Sequence, residues 1–119
     1  MLSLPPTVRI FLCTRGADMR RSFDGLAVMV EQIIGQDPLS GHLFLFCNRR
    51  GDRVKLLYWD GDGYALWYKR LEEGTFRMPT LRSSESESVE LRSSDLMMLL
   101  EGVDLTSVKR QHRYARQRA

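Results

Sequence analysis

Residues 41–70, GHLFLFCNRRGDRVKLLYWDGDGYALWYKR, decide the fold, because they join apolar strand-like runs to two turn signals, a group of aromatics and six basic residues. Asn48–Asp52 reads as a Gly-containing loop and Asp60-Gly61-Asp62-Gly63 as a tight turn with Gly where positive φ is tolerated. The segment therefore predicts two successive hairpins, with strands over His42–Cys47, Arg53–Asp60 and Tyr64–Leu71.

Which side chains share a face depends on the length of the second turn, since a slip of one residue moves every side chain to the other side. A two-residue turn sets Arg53, Lys55, Leu57 and Trp59 opposite Arg70, Tyr68, Leu66 and Tyr64. A three-residue turn instead opposes Lys55 and Lys69 beside Trp59 and Trp67. Both registers leave paired cations near aromatics. Like charges directly opposed repel unless an anion sits between them, so either face could meet a polyanion; aromatics are also ordinary strand formers, and basic side chains are ordinary guards of a sheet edge.

Outward from this segment, Thr7–Cys13 alternates as a strand. Asp18 is placed to cap a helix running to about Ile34, with Met19, Phe23, Leu26, Val30 and Ile34 on one buried face and Gly35 as its stop. Gly25 inside that helix suggests close packing against the sheet. Asp37-Pro38 and Gly41 form the loop into the hairpins. Beyond Leu71 the chain leaves the sheet through Gly74, and Ser83–Ser88, SSESES, reads as a solvated loop. Ser88–Leu91 predicts one more short strand. Ser93 or Ser94 would then cap a short helix with Asp95 in its first turn and Leu96, Met97, Leu99 and Leu100 available for burial. The expected fold class is α+β: a mainly antiparallel sheet with two hairpins, one long helix packed on it and a short C-terminal helix.

At 119 residues the chain fits a single domain, expected over 1–106 with a basic, disordered tail over 107–119. The net charge of +3 is unevenly spread: Lys109, Arg110, Arg113, Arg116 and Arg118 put +5 on the tail, leaving 13 basic against 15 acidic residues elsewhere. An arm of this kind attracts polyanions, nucleic acid first among them. No apolar run approaches membrane-spanning length, and Pro5 and Pro6 interrupt the start where a signal sequence needs its apolar core, so a cytoplasmic protein without a membrane partner is expected. Cys13 and Cys47 lie in apolar runs and read as buried reduced thiols. With His42 and His112 they have no metal-ligand spacing, so no metal or other cofactor is expected.

Other short motifs fail on their chemistry. Asp60 and Asp62 open like a calcium loop, but Tyr64 and Leu71 stand where oxygen ligands are needed. Arg50-Gly51-Asp52 spells an adhesion tripeptide in a chain with no secretion signal. Asp18, Asp24, Asp60 and Asp62 could build a two-metal nuclease centre only by converging, whereas a cap and a turn already account for three of them. Without a nucleophile–base pair or a phosphate-cradling loop, no catalytic residue is assigned and an enzyme is not expected.

Several longer stretches, in order, carry a family resemblance. They are Val8–Ile10, Asp18-Met19-Arg20-Arg21-Ser22-Phe23-Asp24-Gly25-Leu26, Asp37-Pro38-Leu39-Ser40-Gly41-His42-Leu43-Phe44, Arg49–Leu57, Tyr58–Gly63, Leu66–Leu71 and Leu99–Asp104. From about Leu4 to Asp104 the chain resembles the TnpB accessory proteins of the insertion-sequence-sixty-six group of bacterial transposable elements, which are distinct from the RNA-guided nuclease of the same name. The resemblance implies a protein that works beside a separate, larger transposase, and it carries no catalytic residues. Glu73 and Thr75 stand where that pattern often has basic residues, and Leu105 where it often has an aromatic. The resulting expectation is a non-enzymatic accessory factor for DNA transposition. In it Arg49, Arg50, Arg53, Lys55, Lys69 and Arg70 contact phosphates, Trp59 or Tyr64 stacks on exposed bases, and Lys109, Arg110 and Arg113 add non-specific affinity. The alternative is a protein-interaction module that recruits the transposase through the aromatic hairpin surface without touching DNA.

Overall fold

A computed structural model describes residues 7–77, 86–101, 103–104 and 109–110. Five strands form one mixed sheet: β1 (Ile10–Cys13), β2 (Leu43–Cys47), β3 (Arg53–Trp59), β4 (Tyr64–Arg70) and β5 (Ser88–Leu91), in the spatial order β4-β3-β2-β1-β5. All neighbours run antiparallel except β1 and β2. A parallel pair needs a crossover, and the helix α1 (Phe23–Met29), continued by a π-helical turn over Val30–Ile34, supplies it. A second helix, α2 (Ser93–Leu100), follows β5. Two short strands, β6 (Val103–Asp104) and β7 (Lys109–Arg110), pair antiparallel apart from the main sheet. The rest of the expected tail, with Arg113, Arg116 and Arg118, lies outside the described residues, as do Ser83–Glu85 of the SSESES stretch.

The sheet is buried on both sides. Ile10, Leu12, Leu43, Leu45, Val54 and Leu56 pack with Leu96, Leu99 and Leu100 of α2, while Phe11, Phe44, Phe46 and Leu57 pack with Leu26, Met29, Val30 and Ile34 of the α1 segment. This is why β1 and β2 are apolar at every position rather than alternating. Each fully buried Leu or Phe contributes about 1.5–3 kcal/mol through the water it leaves. Cys13 belongs to the α1 side and Cys47 to the α2 side, and both are free buried thiols.

The long helix is shorter than its periodicity suggests. It covers 12 residues from Phe23 to Ile34 rather than starting at Asp18. Asp18 does not cap it: its carboxylate accepts the Arg20 backbone N–H at 2.9 Å and pairs with the Arg20 guanidinium at 2.8 Å. The carbonyls of Met19 and Arg21, which a longer helix would use internally, accept bonds from the Lys55 amine, both at 2.7 Å. Phe23, expected in the core, is consequently at the first exposed turn, 43% accessible. Gly25 does not face the sheet; a Cβ there would meet the Arg21 side chain at 3.3 Å. At the other end Gly35 stops the helix as expected, at φ 76°, its N–H bonded to Val30 O at 2.8 Å.

In α2 the N-cap position is Arg92 rather than a serine, and Asp95, in the first turn as expected, reaches back to it: its carboxylate accepts the Arg92 backbone N–H at 3.3 Å and the Arg92 guanidinium at 3.2 Å. Met97 is exposed. Among the described residues, no helix is long and apolar enough to cross a membrane, and no group of three or more His, Cys, Asp or Glu side chains could hold a metal ion.

Candidate functional site

The turn between β3 and β4 settles the register. Asp60 N–H bonds Gly63 O at 2.8 Å, and Arg53, Lys55, Leu57 and Trp59 stand across from Arg70, Tyr68, Leu66 and Tyr64. That is the two-residue-turn reading, and it puts these eight residues on the α1 side of the sheet.

Cations gather at one end of this sheet. Because β1 and β2 are parallel, their carboxyl ends meet the start of β3 and the end of β4. Arg53 and Arg70 are directly opposed there, and the loop carrying exposed Arg49 and Arg50 is built beside them. Asn48 fixes that loop: its side-chain Oδ1 accepts the Arg53 N–H at 3.1 Å and its side-chain amide donates to Asp52 at 2.7 Å. Gly16, after β1, lies against Arg49. A Cβ at Gly16 would fall 2.8 Å from Arg49 Cγ, so only glycine lets the two loops approach this closely. Arg21 stands apart from them: its carbonyl holds the Lys55 amine two residues along β3 from Arg53, and its side chain lies along Gly25 of α1.

Several acids share this rim. Arg15 is bridged to Glu87, Arg20 to Asp18, and Arg70 to Glu72 at 2.8 Å. Asp52 stays well ionised, its pKa lowered first by the Asn48 amide and then by Arg50 and Arg53. Among the described residues, however, no carboxylate lies within 4 Å of the guanidinium groups of Arg49, Arg50 or Arg53. Arg53 donates instead to the Tyr68 hydroxyl at 3.2 Å. Three arginines on one rim, Arg49, Arg50 and Arg53, thus keep guanidinium donors suited to phosphate oxygens.

The expected site residues do not form one surface. Lys55 is buried at 6% exposure, its amine held by the two carbonyls and lying 4.7 Å from the Tyr68 ring centroid. A buried cation needs such partners, which makes it a strut under the Arg20–Arg21 loop and not a surface contact. Lys69 points to the α2 side, where its amine donates to Leu100 O at 3.0 Å, at the negative end of that helix. Trp59 and Tyr64 sit at the far end of β3 and β4, about 20 Å from Arg53 by strand rise, in an edge-to-face contact with centroids 5.2 Å apart. Tyr64 has its pKa raised by burial first, then by Glu31, Asp24 and Asp37. The aromatic pair therefore stands among acids, an unfavourable place for a phosphate chain. Lys109 and Arg110 lie in β7, and Arg113 lies outside the described residues.

Sequence reasoning passed over the exposure of Trp67 and Tyr68, at 36% and 46%, which follows from β4 lying at the sheet edge.

Comparison with known proteins gives the setting. A family model described as IS66 Orf2 like protein matches residues 8–110. Two proteins of Sinorhizobium fredii are similar over 104 residues: the uncharacterized protein y4hO at 36% identity, covering 87% of this chain and 88% of that protein, and the uncharacterized protein y4jC at 35%, covering 87% and 86%. No solved structure matches.

Proposed function

The chain belongs to the IS66 Orf2-like family, whose role lies in insertion-sequence transposition, and from that premise we propose that it is a DNA-binding accessory factor rather than an enzyme. The observation that carries the reading is the rim of Arg49, Arg50 and Arg53, whose guanidinium groups have no carboxylate within 4 Å among the described residues although acids stand nearby. Guanidinium groups not held in ion pairs on one edge suit a backbone of phosphates, which a protein binds by releasing the counterions condensed on it. The contacts are to phosphate, so they position the protein on DNA and do not read sequence. Arg70, shared with Glu72, adds to the field of the rim, and the basic C-terminal segment from Lys109 adds non-specific affinity. The element's transposase is the protein it acts beside.

This reading replaces the expected single basic and aromatic face. Lys55 and Lys69 serve the fold, and Trp59 and Tyr64 are too far from the rim to stack on a base held there. Fluorescence anisotropy with a labelled duplex tests it. Affinity should fall steeply with added salt and should be largely lost in an Arg49→Ala/Arg50→Ala/Arg53→Ala variant that keeps its fold. A salt-insensitive affinity, or none, would overturn it.

A further inference from the structure

Strand β4 is an edge of the main sheet without the usual protections. It is seven residues long, contains neither Pro nor Gly, and carries its cations at one end only. The opposite edge, β5, has four residues and is tied by Glu90 to Arg9 at 2.6 Å. The bonds Asp60 N–H to Gly63 O and Leu71 N–H to Asp52 O fix the alternation along β4: odd-numbered residues bond β3, so the backbone groups of Tyr64, Leu66, Tyr68 and Arg70 point away from the sheet. Trp67 and Tyr68 are exposed large side chains on this same strand.

The charges along the edge indicate what fits it. Asp60 and Asp62 precede the strand, and Lys69 and Arg70 end it. An antiparallel copy of the same strand brings each acidic end to the other's basic end. We propose that β4 pairs antiparallel with β4 of a second copy of this chain, in the register that places Trp67 opposite Trp67. All seven residues are then matched, and the outward groups of Tyr64, Leu66, Tyr68 and Arg70 meet Arg70, Tyr68, Leu66 and Tyr64 of the second copy. Trp67 falls at a non-hydrogen-bonded pair, where side chains approach most closely, and aromatic pairs there are favourable. No two cations oppose each other: Arg70 faces Tyr64 and Lys69 faces Ala65. Glu72, which faces Asp62, is already bridged to Arg70 at 2.8 Å. The product is a continuous ten-stranded sheet with a two-fold axis through Trp67, and it carries its two arginine rims at opposite ends.

Sedimentation of the full chain over a concentration series, with a Trp67→Cys variant oxidised by diamide, tests the pairing. The expected results are a dimer for the wild type, a monomer for Trp67→Lys, and a disulfide-linked dimer for Trp67→Cys but not for Met97→Cys, an exposed control on α2. Cys13 and Cys47 are buried and stay out of the reaction. Were Trp67→Lys to misfold, the crosslink decides. A wild type that is monomeric at its highest soluble concentration, or a dimer that Trp67→Cys fails to crosslink, overturns the proposal. DNA affinity of the monomeric variant is read separately, so failure here is distinct from failure of the arginine rim.

Discussion

Arg53 and Arg70 stand directly opposite each other across β3 and β4, on the α1 side of the sheet. Opposed like charges cost a few tenths of a kcal/mol up to about 1 kcal/mol. Arg70 leans on Glu72, its pKa raised by that hydrogen bond and charge; Arg53 donates instead to the Tyr68 hydroxyl. Arg53→Ala should therefore leave thermal stability within about 0.5 kcal/mol of the wild type while weakening DNA binding. Parallel melting and anisotropy curves check it, and a loss of stability with unchanged binding would reverse the assignment.

Lys55, two residues along the same strand face, should behave in the opposite way. Lys55→Met removes the amine that holds the carbonyls of Met19 and Arg21, leaving acceptors under the loop without their donor. A cost of about 1–3 kcal/mol in urea unfolding is expected, with faster amide exchange over residues 18–22. Much of the DNA affinity of the folded fraction should remain, because the amine is not at the surface.

Gly16→Ala tests how closely the rim is built. The added Cβ would fall 2.8 Å from Arg49 Cγ, so Arg49 must move. DNA affinity should drop several-fold, with a stability change of about 1 kcal/mol or less; a compensating Arg49→Ala should remove the stability cost without restoring affinity.

Two titrations have fixed signs. Asp18 is held at about 2, against an ordinary 3.8, by the Arg20 side chain and then the Arg20 backbone N–H. A lowered folded value favours the carboxylate, so its contribution to stability is complete above 3.8 and is lost as pH falls through about 2. Carboxyl NMR should show that midpoint, and Arg20→Ala should return it toward 3.8. Burial, with Asp52 adding to it, pushes the Cys47 thiol up to about 11 from 9.0. A raised folded value favours the neutral thiol, so that contribution is complete below 9.0 and is lost as pH rises through about 11. Native Cys47 should react with a disulfide reagent at pH 8 far more slowly than the unfolded chain does.

The strand register was legible as a pair of alternatives, and the turn bond from Asp60 to Gly63 chose between them. Strand positions were also legible, because alternation and Gly-containing turns are local signals. The start of the helix was not. Asp18 looks like a cap, but Lys55 lies 36 residues from Met19 in sequence, and a tertiary bond to two carbonyls leaves no periodicity to read. The candidate site suffered from the same blindness. Lys55 and Lys69 look like Arg53 and Arg70 in sequence, yet α1 and α2 cover the sheet on both sides and take the two lysines into the fold. Trp59 shares the face of Arg53 in either register, because both are odd-numbered positions of one strand, and the shorter turn adds Arg70 to that face; but Trp59 stands six positions along β3 from Arg53.

The most direct measurement is the slope of log affinity against log salt for a short duplex, taken on the wild type and on the Arg49→Ala/Arg50→Ala/Arg53→Ala variant with the C-terminal segment intact in both. If the three arginines each neutralise one phosphate, the variant's slope should be shallower by about 2.7, the counterion release of three contacts on B-form DNA. An equal slope in the two proteins would contradict the arginine rim as the DNA-binding surface.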